Sequence, residues 1–438
     1  MEQQSTMNPV DEERSALRRA ATASFIGNFV EWFDYASYAY LATTIAVVFF
    51  PTADRTAALL STFTVFALSF ILRPIGGIIW GTLGDRRGRR WALSWSILIM
   101  SGATFCIGLL PSWAVIGIWA PLGLLVLRMV QGFSASGEYA GAATFLSEYA
   151  PSSKRGLYTS LVPASTATGL LAGSLMVAMM FQVLSEDSLQ SWGWRIPFLM
   201  AGPLGLIGRY IRVHLEDSPK YRAMAEKTAG STKKSVPLRV LFANHRRSLA
   251  IAFGVASLNA VAFYLLLSYM PTYLSAELGI DEGTAFLAST VALTIYIGSI
   301  FVMGHISDRF GRRRMLVLAS VLFTVLTVPL FALLGTGWVW LIILVEIAFG
   351  ILLTINDGTL ATFLAELFPT SVRYTGFALA FNSANALLGG TAPFVATWLI
   401  AVTGSNAAPA WYLTVIAIGA LGAMLMAKET AFKELKET

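Results

Sequence analysis

Seven ionisable residues fall inside long apolar runs of this sequence: Glu31, Asp34, Arg73, Arg128, Glu138, Glu346 and Asp357. An ionised group in hydrocarbon costs several kcal/mol, so each must be paired, face a cavity or do work. Gly27, Glu31, Asp34 and Tyr38 recur at i, i+4, i+7 and i+11, one face of a helix. Arg128, Gln131, Ala135, Glu138 and Ala142 share another. Both faces are expected to line a central cavity, since lipid would penalise them. Burial raises a carboxyl pKa and a nearby guanidinium lowers it, so an acid beside an arginine can be poised to bind and release a proton. Asp34, Glu31 and Glu138, in that order, are the candidate proton carriers, with Arg128 as counter-charge. The competing reading is a permanent structural ion pair.

Other chemistries find little support. His214, His245 and His305 lie in or beside loops without metal-ligand spacing, and no Gly-x-Ser-x-Gly elbow or phosphate-binding loop occurs. Cys106 is the only cysteine, which excludes a disulfide and a thiolate metal site. The chain is expected not to be an enzyme and to need no cofactor or metal.

The elements that must position these residues are membrane helices. The chain has 438 residues, of which 56% are hydrophobic and 13% charged, and its mean hydropathy is +0.65. Soluble domains carry about a quarter of their residues as charges. The apolar runs reach the roughly 20 residues that cross a bilayer as helix. Twelve spans are read, near 22–49, 57–82, 91–110, 117–146, 157–183, 194–213, 248–275, 284–305, 315–335, 338–365, 374–401 and 409–427. The predicted segments are an N-tail 1–21, a six-helix bundle 22–213, a linker 214–247, a second six-helix bundle 248–427 and a C-tail 428–438.

Charge placement orients them. Basic residues gather in alternate loops: Arg86, Arg87, Arg89 and Arg90; Lys154 and Arg155; Lys233, Lys234, Arg246 and Arg247 in the linker; Arg309 and Arg312 to Arg314; Arg373; and both tails. The opposite loops hold Arg55 with Asp54, Glu186, Asp187, Glu277, Asp281 and Glu282. By the positive-inside rule both termini are cytoplasmic, in a multi-pass protein of the plasma membrane. A basic surface for nucleic acid would explain the sign but not the alternation, so no nucleic-acid partner is expected. The first helix follows Asp11, Glu12, Glu13 and Arg14 without a cleavable end and reads as an uncleaved span. Arg195, Arg209 and Arg212, near span ends, are expected to snorkel.

The chain repeats itself. Gly81-Thr-Leu-Gly-Asp85-Arg86-Arg-Gly88-Arg89-Arg90 returns as Gly304-His-Ile-Ser-Asp308-Arg309-Phe-Gly311-Arg312-Arg313, each between the second and third spans of its half. Ala143-Thr-Phe-Leu-Ser-Glu148 returns as Ala361-Thr-Phe-Leu-Ala-Glu366, followed by Arg155 and Arg373. An even number of spans separates the copies, so the repeats are parallel, with a site expected between the halves near mid-membrane. In each loop the glycine admits a close neighbour, and Asp85 or Asp308 can accept from an arginine or a helix N-terminus across its own half's interface. Gly81, Asp85, Arg86, Arg89, Gly304, Asp308, Arg309 and Arg312 are thus read as gating loops, or more plainly as topological anchors.

Those loops, with Arg128-Met-Val-Gln131-Gly132, resemble the signatures of the major facilitator superfamily. Gly27-Asn28-Phe-Val-Glu31-Trp32-Phe33-Asp34-Tyr35, Leu72-Arg73-Pro74-Ile-Gly76-Gly77, Gly137-Glu138-Tyr139 and Trp192-Gly193-Trp194-Arg195-Ile-Pro197 narrow the resemblance to the metabolite:proton symporter family. Phe105 to Pro111 and Leu266 to Ser275 are most similar to its proline/betaine transporters. The resemblance implies an all-α polytopic membrane protein, twelve transmembrane helices in two parallel six-helix repeats, that imports a small zwitterionic osmolyte with protons by alternating access. Some members continue into a long coiled-coil extension used in osmotic regulation. This sequence stops eleven residues after Ala427, so that regulation does not carry over as an expectation.

A zwitterion asks for aromatic faces around its quaternary ammonium. Trp32, Tyr35, Tyr38, Tyr139, Tyr264 and Tyr269 are candidates, with ordinary packing as the alternative. Arg73 could bind the substrate carboxylate, or pair with Asp85. Asn259, Asn356, Asn382 and Asn385 could bind the carboxylate or rearrange with gating. The rival readings are proton symport of an organic anion (a dicarboxylate, 2-oxoglutarate, citrate or shikimate) and a membrane sensor that binds without transport. Two mid-membrane arginines against five acids lean towards the zwitterion. The expected partners are a small molecule, protons and lipid; the sequence fixes no oligomeric state.

Overall fold

The computed structural model describes residues 9–50, 61–62, 64–65, 68–214, 217–218, 221–223, 226 and 237–436. Asp54, Arg55, the start of the second span and most of the linker, with Lys233 and Lys234, lie outside them.

Every predicted span contains helix. The first runs Pro9–Tyr40 and Ala42–Phe49, and the second ends as Arg73–Arg87. Then follow Arg89–Leu109, Trp119–Ala135 with Glu138–Tyr149, Leu161–Val183 and Arg195–Val213. The second half is Arg246–Phe263, Glu282–Phe310, Arg312–Leu334, Val339–Leu367, Arg373–Ala384 with Ala392–Thr403, and Ala408–Met426. Helix satisfies its own backbone groups, which lipid cannot do. Among the described residues eight helices are long and apolar enough to cross a membrane by length and composition alone. The other four spans have identifiable reasons for falling short. Asn28, Glu31 and Asp34 depress the first, the second begins outside the described residues, Ser136-Gly137 interrupts the fourth, and Arg209 with Arg212 lowers the sixth.

Packing follows the repeat. The first span lies on the fifth as the seventh lies on the eleventh, and the third lies on the sixth as the ninth lies on the twelfth. The halves meet chiefly where the second span packs on the eleventh and the fifth on the eighth. Those two seams exchange under the repeat, as two copies facing each other require. Wide π-helical turns at Tyr264–Tyr269 in the seventh span and Asn385–Gly389 in the eleventh interrupt regular helix beside the seam. Such turns re-aim side chains and recur at functional sites.

Candidate functional site

The first span presents its acids to two arginines of its own half. Glu31 Oε1 lies 2.9 Å from Arg73 Nη2, and Asp34 Oδ2 lies 2.8 Å from Arg128 Nη1. Gln131 donates to the same Asp34 oxygen at 3.0 Å and also bonds Thr104. The Arg128 guanidinium rests 3.7 Å from the Tyr38 ring centroid. All four charged side chains are buried. Among the described residues Glu31 Oε2, Asp34 Oδ1, Arg73 Nε and Arg128 Nε and Nη2 have no hydrogen-bond partner. The pairs therefore offset the cost of buried charge while leaving acceptors and donors for a further polar group.

An aromatic box built by both halves adjoins the Glu31–Arg73 pair. Trp32 stands 5.7 Å from Tyr35, 5.2 Å from Phe263 and 6.4 Å from Tyr264, centroid to centroid. Phe70 completes it, 5.8 Å from Tyr35 and 5.9 Å from Tyr264. Arg73 sits over this box, 5.0 Å from the Tyr35 ring and 4.7 Å from that of Phe70. These are the groups that recognise a molecule with one anionic and one bulky cationic end, since arginine binds carboxylate and ring faces attract onium groups.

At the end of the bundle that carries the C-terminal residues, the halves are latched by two copies of one arrangement. Asp85 accepts from the backbone N–H groups of Tyr374 and Thr375 at 3.2 and 2.9 Å. Asp308 accepts from those of Gly156 and Leu157 at 2.7 and 3.0 Å. Each aspartate caps a helix of the opposite half, so the expectation of a contact within its own half is corrected; only the arginine four residues on, Arg89 or Arg312, is internal. The reason is the dipole. A helix N-terminus offers unpaired N–H groups, and those nearest each loop belong to the eleventh and fifth spans. Gly81 and Gly304 permit it, because a Cβ on Gly81 would stand 2.6 Å from Thr375 Cα and one on Gly304 2.7 Å from the Gly156 carbonyl oxygen. Around them Arg89 and Arg373 grip Glu148 at 3.2 and 2.6 Å. Arg155 and Arg312 grip Glu366 at 2.8 and 3.4 Å. Burial pushes the Glu148 carboxyl up, but the Arg89 and Arg373 guanidiniums outweigh it and hold Glu148 below its ordinary value. Arg86 and Arg309 are exposed beside the latch.

Several expected placements are revised. Glu138 is not held by Arg128. Its carboxylate is gripped by Arg212 of the sixth span, with Ser96 at 3.4 Å, inside the first bundle. The Ser136-Gly137 break ends the helical face that was to join it to Arg128. Arg212 accordingly does not snorkel and is 2% exposed. Arg73 pairs with Glu31, not with Asp85. Tyr38 lies under Arg128, and Tyr139 stacks on Phe381 at 4.4 Å. Tyr269 bonds Thr397. These three tyrosines stand apart from the box, which Trp32, Tyr35 and Tyr264 do form. Asn382 donates to the Ser136 carbonyl across the seam at 2.8 Å, and Asn385 to Phe381 O of its own helix at 2.9 Å. Asn259 donates to Asp357. Sequence reasoning missed Phe70 and Phe263. Phe70 lies three residues before Arg73, hence on one face with it, and that spacing could have marked it.

A fold of two facing six-helix repeats, with charge buried between them, defines a secondary transporter. The chain belongs to the major facilitator superfamily, whose family description matches residues 25–393 and 252–434. It is 41% identical over 436 residues to the glycine betaine/proline/ectoine/pipecolic acid transporter OusA of Dickeya dadantii, covering 98% of this chain and 86% of that one. It is 39% identical over 429 residues to the proline/betaine transporter of Salmonella typhimurium, covering 96% and 85%. The solved structure of the proton:xylose symporter XylE bound to 6-bromo-6-deoxy-D-glucose superposes with a TM-score of 0.82 at 17% identity, covering 97% and 98%, and so shares the fold.

Proposed function

We propose that this protein is a proton-coupled symporter that imports a small zwitterionic osmolyte, proline, glycine betaine or a close relative, across the plasma membrane by alternating access. The observation that carries the reading is the aromatic box under the Arg73 guanidinium, adjoining a second buried acid–arginine pair. The relatives named above supply the substrate class. The substrate carboxylate engages Arg73 and competes with Glu31, while its ammonium end lies against Trp32, Tyr35 and Tyr264. Asp34 takes the transported proton as Arg128 turns away from it, because an acid that loses its guanidinium in a buried site is stabilised by protonation. The bundles 22–213 and 248–427 rock about the seam, and 214–247 links them. The positive-inside rule makes the latched end, both tails and the linker cytoplasmic.

The test is radiolabelled betaine uptake in proteoliposomes. An inward proton gradient should drive accumulation and an uncoupler abolish it; undiminished uptake without a gradient would end the proposal. Asp34→Asn should lose accumulation yet keep exchange of labelled for unlabelled betaine, and normal accumulation would remove Asp34 from its role. Competition by proline and ectoine, not by citrate, 2-oxoglutarate or shikimate, separates the zwitterion from the anion reading. That rival is disfavoured because Arg73 and Arg128 are each paired with an acid and leave no surplus positive charge in the site.

A further inference from the structure

The second half contains a buried carboxyl that the mechanism above does not use. Asp357, in helix Val339–Leu367, is 1% exposed. The Tyr296 hydroxyl of the eighth span donates to its Oδ2, and the Asn259 amide of the seventh span donates to its Oδ1. Tyr139, from the fourth span across the seam, lies within electrostatic reach of the same carboxyl. Among the described residues no Arg, Lys or His pairs with Asp357. Three spans from two halves thus surround one acid with neutral polar groups.

The repeat makes the placement informative. In the first half the equivalent helix carries its acid at Glu138, gripped by Arg212 inside its own bundle. The position related by the repeat is the neutral Asn356, and the acid stands one residue later. One residue is about 100° around a helix, which gives the carboxyl neutral partners on the seventh and eighth spans, with Tyr139 of the facing half nearby, in place of an arginine of its own bundle.

We propose that Asp357 is a second proton-binding site, separate from Asp34, loaded when the seam around Tyr139 is open and occupied when it closes. An ionised carboxylate sealed among neutral groups keeps a desolvation penalty that two neutral donors offset only in part, whereas the acid form does not. The step is a simple association: Asp357 carboxylate plus a proton from water gives the neutral acid, and the proton returns to water when the seam reopens. In the acid form the hydroxyl can donate to the Asn259 amide oxygen, with that amide turned over, while Tyr296 continues to donate to the other oxygen. A divalent cation would need about six or more oxygens at this point. Asp357, Tyr296 and Asn259 together bring fewer, and a proton needs one oxygen.

The proposal rests on the symport reading for its transport consequence but not for its chemistry, so two measurements are made on the full chain in liposomes. Infrared difference spectra between acid and neutral pH, without substrate, should show a protonated-carboxyl band that is lost in Asp357→Asn. The proton:betaine ratio, read from the voltage at which net flux reverses, should fall by one proton in that variant while betaine exchange continues. An unchanged set of carboxyl bands, or an unchanged ratio, would overturn the proposal. Should Asp357→Asn fail to fold, Tyr296→Phe must displace the pH at which the same band disappears, and an unmoved titration would equally overturn it. If wild-type protein moves no betaine, the functional reading fails and the infrared result still decides Asp357.

Discussion

The two halves descend from one repeat yet treat their mid-membrane acids in opposite ways, although both pair the acids of the latch with arginines. In the first half Glu31, Asp34 and Glu138 are each bound to an arginine. In the second, Glu346 and Asp357 are as deeply buried and enter no ion pair among the described residues. A paired acid can stay charged and must find another partner before the pair separates. An acid among neutral groups is stable only when neutral. The first half therefore suits exchange of partners, in which a substrate charge or a proton takes the place of the arginine or the acid, and the second suits protonation alone.

The comparison breaks most visibly at Arg128. Arg128→Ala strands Asp34 and should cost about 3–5 kcal/mol, the usual penalty for halving a buried pair. A lowered melting temperature in detergent would record it, and Arg128→Ala with Asp34→Asn should recover most of the loss. If the double variant melts as low as the single, the pair is not what stabilises this region. Next in size, Glu138→Gln leaves Arg212 without its counter-charge and should cost roughly 2–4 kcal/mol. Glu346→Gln, which replaces one polar group by another without orphaning a cation, should cost less than about 1 kcal/mol. Equal losses from the two would erase the distinction between the halves.

Arg73→Lys keeps the charge but loses the planar fork and the ring stacking, so betaine binding measured by calorimetry should weaken about tenfold, near 1.4 kcal/mol. Unchanged affinity would place the substrate carboxylate elsewhere. The smallest effect concerns the latch. Glu148 is held below its ordinary value of 4.5 by its two arginines. Its contribution is therefore complete above about pH 4.5 and is lost as pH falls through the lower folded value. A spin label attached at neutral pH to Ala378→Cys in the seam, with Cys106→Ser, should become more mobile in acid, and adding Glu148→Gln should flatten that dependence.

Much of the arrangement was legible in the chain. The spans, the repeat, the first-span face of Glu31 and Asp34, and the Asp34–Arg128 pairing follow from apolar length, periodicity and the cost of charge in lipid. Trp32, Tyr35 and Tyr264 were within reach of the same reasoning. The partners of Arg73, Glu138 and Arg212 were not. Each bond joins helices far apart in the chain, and one helical break at Ser136-Gly137 was enough to redirect Glu138. Phe70 and Phe263 carry no charge and look like any other phenylalanine in a membrane helix.

By itself the sequence determined that this is a membrane bundle of two parallel halves with charges that need partners, because hydrocarbon penalises any other disposition of so apolar a chain. Only the tertiary structure decided which charge meets which. It also decided that Asp85 and Asp308 cap helices of the opposite half and that Asp357 meets Asn259 and Tyr296. Those outcomes depend on how helices cross, on glycines that let backbones meet, and on a single-residue rotation, none of which hydropathy or periodicity records.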